Sequence, residues 1–248
     1  MKAIDLVVVD IGNSACKVGV VRAEELLQVH IYGLEECAHQ PWRHRAVSEL
    51  AEKNPRWTLS GSNPPIINSF AGWLRKEEQS LAIIDSQTPL PLEIKVDAPD
   101  RVGRDRLLNA IAVEQKPAII ISAGSAVTVD LVDAQGRFQG GAIFPGLRLM
   151  ARSLHEYTAK LPLIDASQPN PTLPGKNTEQ AMHAGIVQAV LGGITGCANE
   201  MKGTQDEVAI YLTGGDAVSL QPLLPWPVPS VPTLALQGMI IVSRTLWA

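Results

Sequence analysis

Three short runs of aliphatic and β-branched residues, Leu6 to Val9, Ala118 to Ile121 and Ala209 to Leu212, each stop at a polar turn signal and predict buried strands. Asp10-Ile11-Gly12-Asn13-Ser14 follows the first run and Ser122-Ala123-Gly124-Ser125-Ala126 the second, 122 − 10 = 112 residues apart. Both loops lead into β-patterned sequence, Lys17 to Val21 and Val127 to Val132, so each predicts a hairpin with a glycine-containing turn. One supersecondary unit therefore occurs twice. The repeat divides the chain into two α/β halves, residues 1–115 and 116–248, expected to pack across a cleft of the kind that ligands favour.

The 3.6-residue period supplies the helices. Arg104 to Gln115 places Leu107, Leu108, Ile111 and Ala112 on one face, and a second helix follows Pro145 with Leu147, Met150, Ala151 and Leu154, until Pro162 stops it. A third runs from Thr178 to about Lys202, with Asn177 as N-cap and Gln180 as its capping-box partner. Gly185, Ala189, Gly193 and Gly196 line one stripe of it, which suits close packing of another helix, within the chain or between chains. His39 to Gly61 reads as a helix and a strand, Phe70 to Glu77 as helical, and Thr88 to Pro99 as a proline-rich approach to the next helix.

Composition narrows the function classes. Lys+Arg 21 against Asp+Glu 25 gives a net charge of −4, and with 4% aromatic residues the chain lacks both the basic footprint and the stacking platforms of a nucleic-acid binder. The long uncharged run from Ala217 to Ser243 contains Pro222, Pro225, Pro227, Pro229 and Pro232, which exclude a continuous membrane-spanning helix there. Asp5 and Asp10 break the N-terminal apolar run below signal-peptide length, so a cytoplasmic protein is expected. Cys16, Cys37 and Cys197 are odd in number and form no Cys-x-x-Cys pair, and the five histidines lack metal-ligand spacing.

Four segments carry candidate chemistry. The turn Asp10 to Ser14 exposes backbone N–H groups and short polar side chains suited to phosphate, with Asp10 requiring a bridging Mg²⁺; the same residues also suit a simple tight turn. Gly103-Arg104-Asp105-Arg106 puts a carboxylate in the first turn of a helix, favourable to the helix dipole without any function, yet beside Arg106, a donor suited to a carboxylate ligand. Gly140 to Gly146 reads as flexible backbone opening a helix, or as a hairpin turn before one. Thr213-Gly214-Gly215-Asp216 ends a strand with two glycines, open to a flat ligand. Gly175-Lys176-Asn177-Thr178 is no Walker motif, because Asn170 stands where that motif needs glycine.

Taken in order from Val8 to Asp216, DIGNS, VGRDRLLNA, AGSAVTVD, GGAIFPGL with TAKLP, GKNTEQAMHAG and LTGGDA resemble the motifs of the type III pantothenate kinases, in the actin, sugar-kinase and acetate-kinase superfamily. The resemblance implies two ribonuclease-H-like halves around a central cleft and transfer of the ATP γ-phosphoryl to pantothenate, the first step of coenzyme A synthesis. By motif, Asp10 would hold hydrated Mg²⁺, with Ile11, Gly12, Asn13, Ser14, Ala15, Cys16 and Lys17 around the phosphates and Gly124 and Ser125 on ATP. Asp105 would take the proton of the attacking hydroxyl, while Gly103, Arg104, Arg106 and Thr178 would meet pantothenate. A homodimer completing the active site is also implied.

Two positions depart from the family pattern. Ser122 stands where the family carries the Asp of a monovalent-cation site for K⁺ or NH4⁺, and Val96 where it carries an aromatic residue against pantothenate. These departures keep two other readings open: a non-catalytic ATP-binding regulatory dimer, and a related kinase for another small hydroxy acid.

Overall fold

The computed structural model describes residues 4–35, 37–167, 171–203 and 207–247. They form two compact units. The first takes in residues up to 93, 97–112 and 233 onward; the second comprises 94–96 and 113–232.

In the first unit, β1 (Leu6–Ile11), β2 (Ala15–Arg22), β3 (Glu25–Gly33), β4 (Arg56–Gly61) and β5 (Leu81–Ile83) form one sheet in the order β3-β2-β1-β4-β5. β1 runs antiparallel to β2 and parallel to β4. Its side chains alternate between two apolar layers, which explains the unbroken valine run. Val7, Val9 and Ile11 pack with Trp57, Phe70 and Leu74 beneath α1 (Arg45–Ala51) and α2 (Pro64–Lys76). Val8 meets Leu108, Leu236, Met239 and Val242 of α3 (Arg104–Ala112) and α7 (Leu234–Leu246).

Helices α3 and α7 touch backbone to backbone. A Cβ on Gly238 would stand 2.0 Å from the Leu108 carbonyl oxygen. Gly238→Ala should therefore destabilise the protein by about 3 kcal/mol through overpacking, although alanine ordinarily favours a helix by about 1 kcal/mol. Urea unfolding checks the sign, and a stabilised variant would contradict the packing described.

The second unit repeats the plan. β6 (Ala118–Ala123), β7 (Ala126–Val132), β8 (Phe138–Pro145) and β9 (Ala209–Thr213) take the order β8-β7-β6-β9, with β6 antiparallel to β7 and parallel to β9. Ile119, Ile121, Val127 and Val129 pack beneath α4 (Leu147–Glu156) and α5 (Thr178–Lys202), which contributes Ile186, Val187, Val190 and Ile194. Alternation turns Ser122, Thr128 and Asp130 to the opposite face, where Thr128 donates to the Asp130 carboxylate at 3.1 Å. A short α6 (Ala217–Leu220) follows β9.

Both predicted hairpins form, in the duplicated topology that the repeat implies. The division between units differs from a single cut after residue 115, because the first unit closes at Ala112 and then receives α7 from beyond Pro232. Gly140 to Gly146 does not lead flexibly into a helix: residues through Pro145 are β8, and α4 starts at Leu147. Gly141 belongs in that strand because a Cβ there would press on the Val129 carbonyl and the Asp130 carboxylate of β7.

Candidate active site

The first unit gathers its polar groups where the parallel strands β1 and β4 end, the usual place for ligands in α/β sheets. Asp10 lies opposite Lys17 on β2 and Ser60 on β4. After Ile11 the chain turns tightly, the Gly12 N–H bonding to the Ala15 carbonyl at 2.9 Å and leaving Asn13 and Ser14 exposed. Ile11 and Cys16 form the last strand pair and are fully buried, so only their backbones can serve a ligand.

Sequence reading missed the neighbouring turn. Gly61, at φ +144°, packs against Ile11, where a Cβ would stand 2.0 Å from the carbonyl oxygen. The Ser62 N–H then bonds to that oxygen at 2.9 Å, and Asn13 Nδ2 donates to Ser62 Oγ at 3.5 Å. The available signal was one more strand ending in glycine, Arg56 to Gly61, before the Asn-Pro-Pro that starts α2.

Asp105 occupies the first turn of α3, and Gly103 makes room for it: a Cβ there would stand 2.6 Å from Asp105 Oδ1. Burial pushes the Asp105 carboxyl above the usual carboxylate range, opposed by the backbone N–H groups of Arg106 and of Asp105 itself and by the Arg106 guanidinium. Arg104 Nε is buried with no partner among the described residues. Burial raises Asp10 to about 6, with Lys17 opposing the shift and the Asp105 charge adding to it. Two half-buried carboxylates, with Asp10 in the field of Asp105, make a site that a cation would relieve.

In the second unit three loops meet at the end of β6. Gly124 closes a turn through its N–H to the Ala126 carbonyl at 3.1 Å. Gly146 lies on that turn, donating to the Ser125 carbonyl at 2.9 Å, and a Cβ on it would stand 2.0 Å from the Gly124 oxygen. Gly214, at φ +101°, approaches Ala123 as closely, and the Asp216 N–H bonds to the Ala123 carbonyl at 3.0 Å. Ser122 sits between Thr128 and Thr213 in the sheet register, with no carboxylate of its own.

Thr178 is exposed at the start of α5, where Asn177 Oδ1 accepts the Gln180 N–H at 2.8 Å as the cap. The Gln180 side chain takes the Lys176 N–H instead, at 2.9 Å, one residue before the expected capping-box partner. A cavity of about 380 Å³ lies beside it, lined by Asp165, Thr172, Glu179, Gln180 and His183 among others. Val96 belongs to this unit: Ile94 bridges to Phe138, and a Val96 methyl would stand 3.3 Å from a Cβ on Gly140. Within the first unit the structure thus brings Asp10 to Lys17, Asp105 and the Gly103–Arg106 turn together. Gly124, Ser125, Ser122, Val96 and Thr178 all lie in the second.

Comparison with known proteins gives a consistent result. A family model described as type III pantothenate kinase matches residues 6–200. A type III pantothenate kinase from Porphyromonas gingivalis is 30% identical over 94% of this chain and 95% of its own length, and one from Listeria welshimeri is 31% identical over 85% of each. Among solved structures, a Baf family protein from Campylobacter jejuni aligns at TM-score 0.64 and 17% identity, covering 97% of this chain and 98% of its own. MreB5 of Spiroplasma citri aligns at 0.52 and 11%, covering 97% and 96%. The two units are ribonuclease-H-like halves of the actin-like ATPase fold, and the chain belongs to the type III pantothenate kinase family.

Proposed function

We propose that this protein transfers the γ-phosphoryl group of ATP to the terminal hydroxyl of pantothenate, giving 4′-phosphopantothenate and ADP at the entry to coenzyme A synthesis. The observation that carries the reading is the pair of half-buried carboxylates, Asp10 and Asp105, close enough within the first unit for the charge of Asp105 to act on Asp10. Asp105, its carboxyl already raised, accepts the hydroxyl proton as the oxygen attacks the γ-phosphorus and the bond to the β-phosphate oxygen breaks. Arg106 and Arg104 face the pantothenate carboxylate, and Thr178 its polar chain. The Gly12–Ser14 and Gly124–Ser125 turns hold phosphate oxygens through backbone N–H groups. Mg²⁺ fits Asp10, since the cation relieves a carboxylate that burial and Asp105 both disfavour; when bound it neutralises charge on the transferring phosphoryl. With a loose transition state, alignment and charge neutralisation supply most of the acceleration.

ADP release measured with and without pantothenate tests the assignment. Release that requires pantothenate supports it. Release only with another hydroxy acid, or none with any acceptor, overturns it in favour of a related kinase or of a nucleotide-binding protein.

The monovalent cation is proposed to bind weakly, because the Ser122 hydroxyl supplies a lone pair and no charge to repay lost hydration. Activity should depend shallowly on K⁺, and Ser122→Asp should steepen the dependence. Initial rates against KCl, at ionic strength balanced with a bulky organic cation, check this; superimposable curves contradict it.

A soluble, cytoplasmic homodimer is proposed as the working form. α5 is long and apolar, yet its buried residues serve the core of the second unit. Its exposed face carries Gly185, Ala189, Gly192 and Gly196, and a Cβ on any of the three glycines would meet nothing within 4 Å. Gly193, by contrast, packs on the Phe144 ring. The exposed stripe runs into an apolar groove of about 560 Å³ that includes Met150, Leu154 and Met182. Gly192→Arg should yield a monomer by light scattering, and an unchanged mass would remove α5 from the interface.

A further inference from the structure

Arg148 stands in the first turn of α4, where a cation opposes the helix dipole and the turn holds no acidic residue to offset it. Its side chain crosses to Asp216, Nη2 lying 3.3 Å from Oδ1. The Asp216 side chain is 7% exposed and that of Arg148 49%. A buried carboxylate needs compensation, but this one is met by a single long contact instead of a two-pronged pair. The remaining guanidinium N–H groups make no hydrogen bond among the described residues; Asp165 feels the guanidinium only through its field.

The pair also straddles one loop. Gly146, two residues before Arg148, donates to the Ser125 carbonyl, and the Asp216 N–H donates to that of Ala123. Both partners are thus tied to the Ala123–Ser125 turn, Asp216 by its own N–H and Arg148 through Gly146. As an ion pair the arrangement is incomplete, and a second anion at the turn would complete it.

We propose that Arg148 is a phosphate-binding residue for the nucleotide, with Asp216 as the positioning residue that holds its guanidinium at the rim of the Gly124–Ser125 turn. The inference deepens the kinase reading and rests on it for the identity of the nucleotide, so its test is equilibrium binding without pantothenate. A failed kinase assay with intact ATP binding would sink that reading and leave this one standing.

Binding of ATP, ADP and adenosine to the full chain in Mg²⁺ is measured by calorimetry for the parent, Arg148→Gln, Arg148→Lys, Asp216→Asn and the Arg148→Gln/Asp216→Asn double variant. Arg148→Gln should weaken ATP and ADP about tenfold and leave adenosine unchanged. Arg148→Lys, which keeps the charge but not the planar fork, should fall between, and supplies a second variant if the first does not fold. Asp216→Asn should weaken ATP less than Arg148→Gln does, and the double variant should stay as weak as Arg148→Gln. Recovery of ATP affinity in the double variant would mean that Arg148 only neutralises Asp216. Equal weakening of adenosine would mean that the pair only shapes the loop, and unchanged ATP binding that it does neither; each of these outcomes overturns the proposal.

Discussion

Asp105→Asn should lower kcat by about 10²-fold or more while the protein remains folded, which is the usual scale of general-base assistance. Asn keeps the size of the side chain and an oxygen for the N–H groups of Arg106 and residue 105, so the start of α3 loses no acceptor. The closeness of Gly103 to Oδ1 is likewise preserved. Because burial disfavours the Asp105 charge, removing it should not cost stability at neutral pH. The affinity for ATP should change little, whereas the acidic limb of the kcat profile that reports protonation of this carboxyl should disappear. Steady-state rates across pH, beside a circular-dichroism melt, check both statements. Turnover within about threefold of the parent would leave Asp105 as a favourable helix-end charge and nothing more.

Asp10→Asn should abolish Mg²⁺-dependent turnover and, without metal or nucleotide, make the protein more stable. The first effect follows from loss of the anionic oxygen that would anchor the hydrated cation in the proposed mechanism. The second follows from the cost of holding Asp10 ionised. Raising a carboxyl from 3.8 to about 6 costs up to about 3 kcal/mol of folding free energy at pH values above both. Since the folded-state value is the higher one, that stability is fully present below 3.8 and is lost as pH rises through about 6. The gain from Asp10→Asn should accordingly be large at pH 8 and shrink toward zero near pH 4. Mg²⁺ should raise the melting temperature of the parent and not of the variant. Equal gains at both pH values would assign the effect to packing instead of charge, and retained activity at ordinary Mg²⁺ would sink the metal assignment.

The parts legible in the sequence are those whose causes are local. Val7 to Val9 between two apolar layers, the glycine turns after β1 and β6, and the Asn177 cap leave their marks in consecutive residues. β3, from Glu25 to Gly33, was not anticipated: it lies at a sheet edge, with Leu27 and Ile31 about half exposed, and lacks clean alternation. α7 was obscured by the prolines before it, and its place in the first unit depends on Gly238 meeting Leu108, a contact 238 − 108 = 130 residues apart. At the candidate site, motif order brought out Asp10 and Asp105. The effect of the Asp105 charge on Asp10, the Gly61–Ser62 turn and the reach of Arg148 to Asp216 are products of folding that no spacing rule encodes.

The return of α7 to the first unit bears on how the polypeptide is made. β1 emerges from the ribosome first, but the layer over Val8 cannot be completed until Leu236, Met239 and Val242 have been added. Between the end of α3 and the end of α7 lie 246 − 112 = 134 residues, or roughly 7–27 s of synthesis at ordinary translation speeds. During that interval one face of the first sheet lacks its C-terminal cover. The second unit, contiguous apart from residues 94–96, has its whole sequence available earlier. Chains interrupted before Leu234 would keep Leu108 of α3 against Val8 but lack Leu236, Met239 and Val242, leaving part of that apolar face open to solvent.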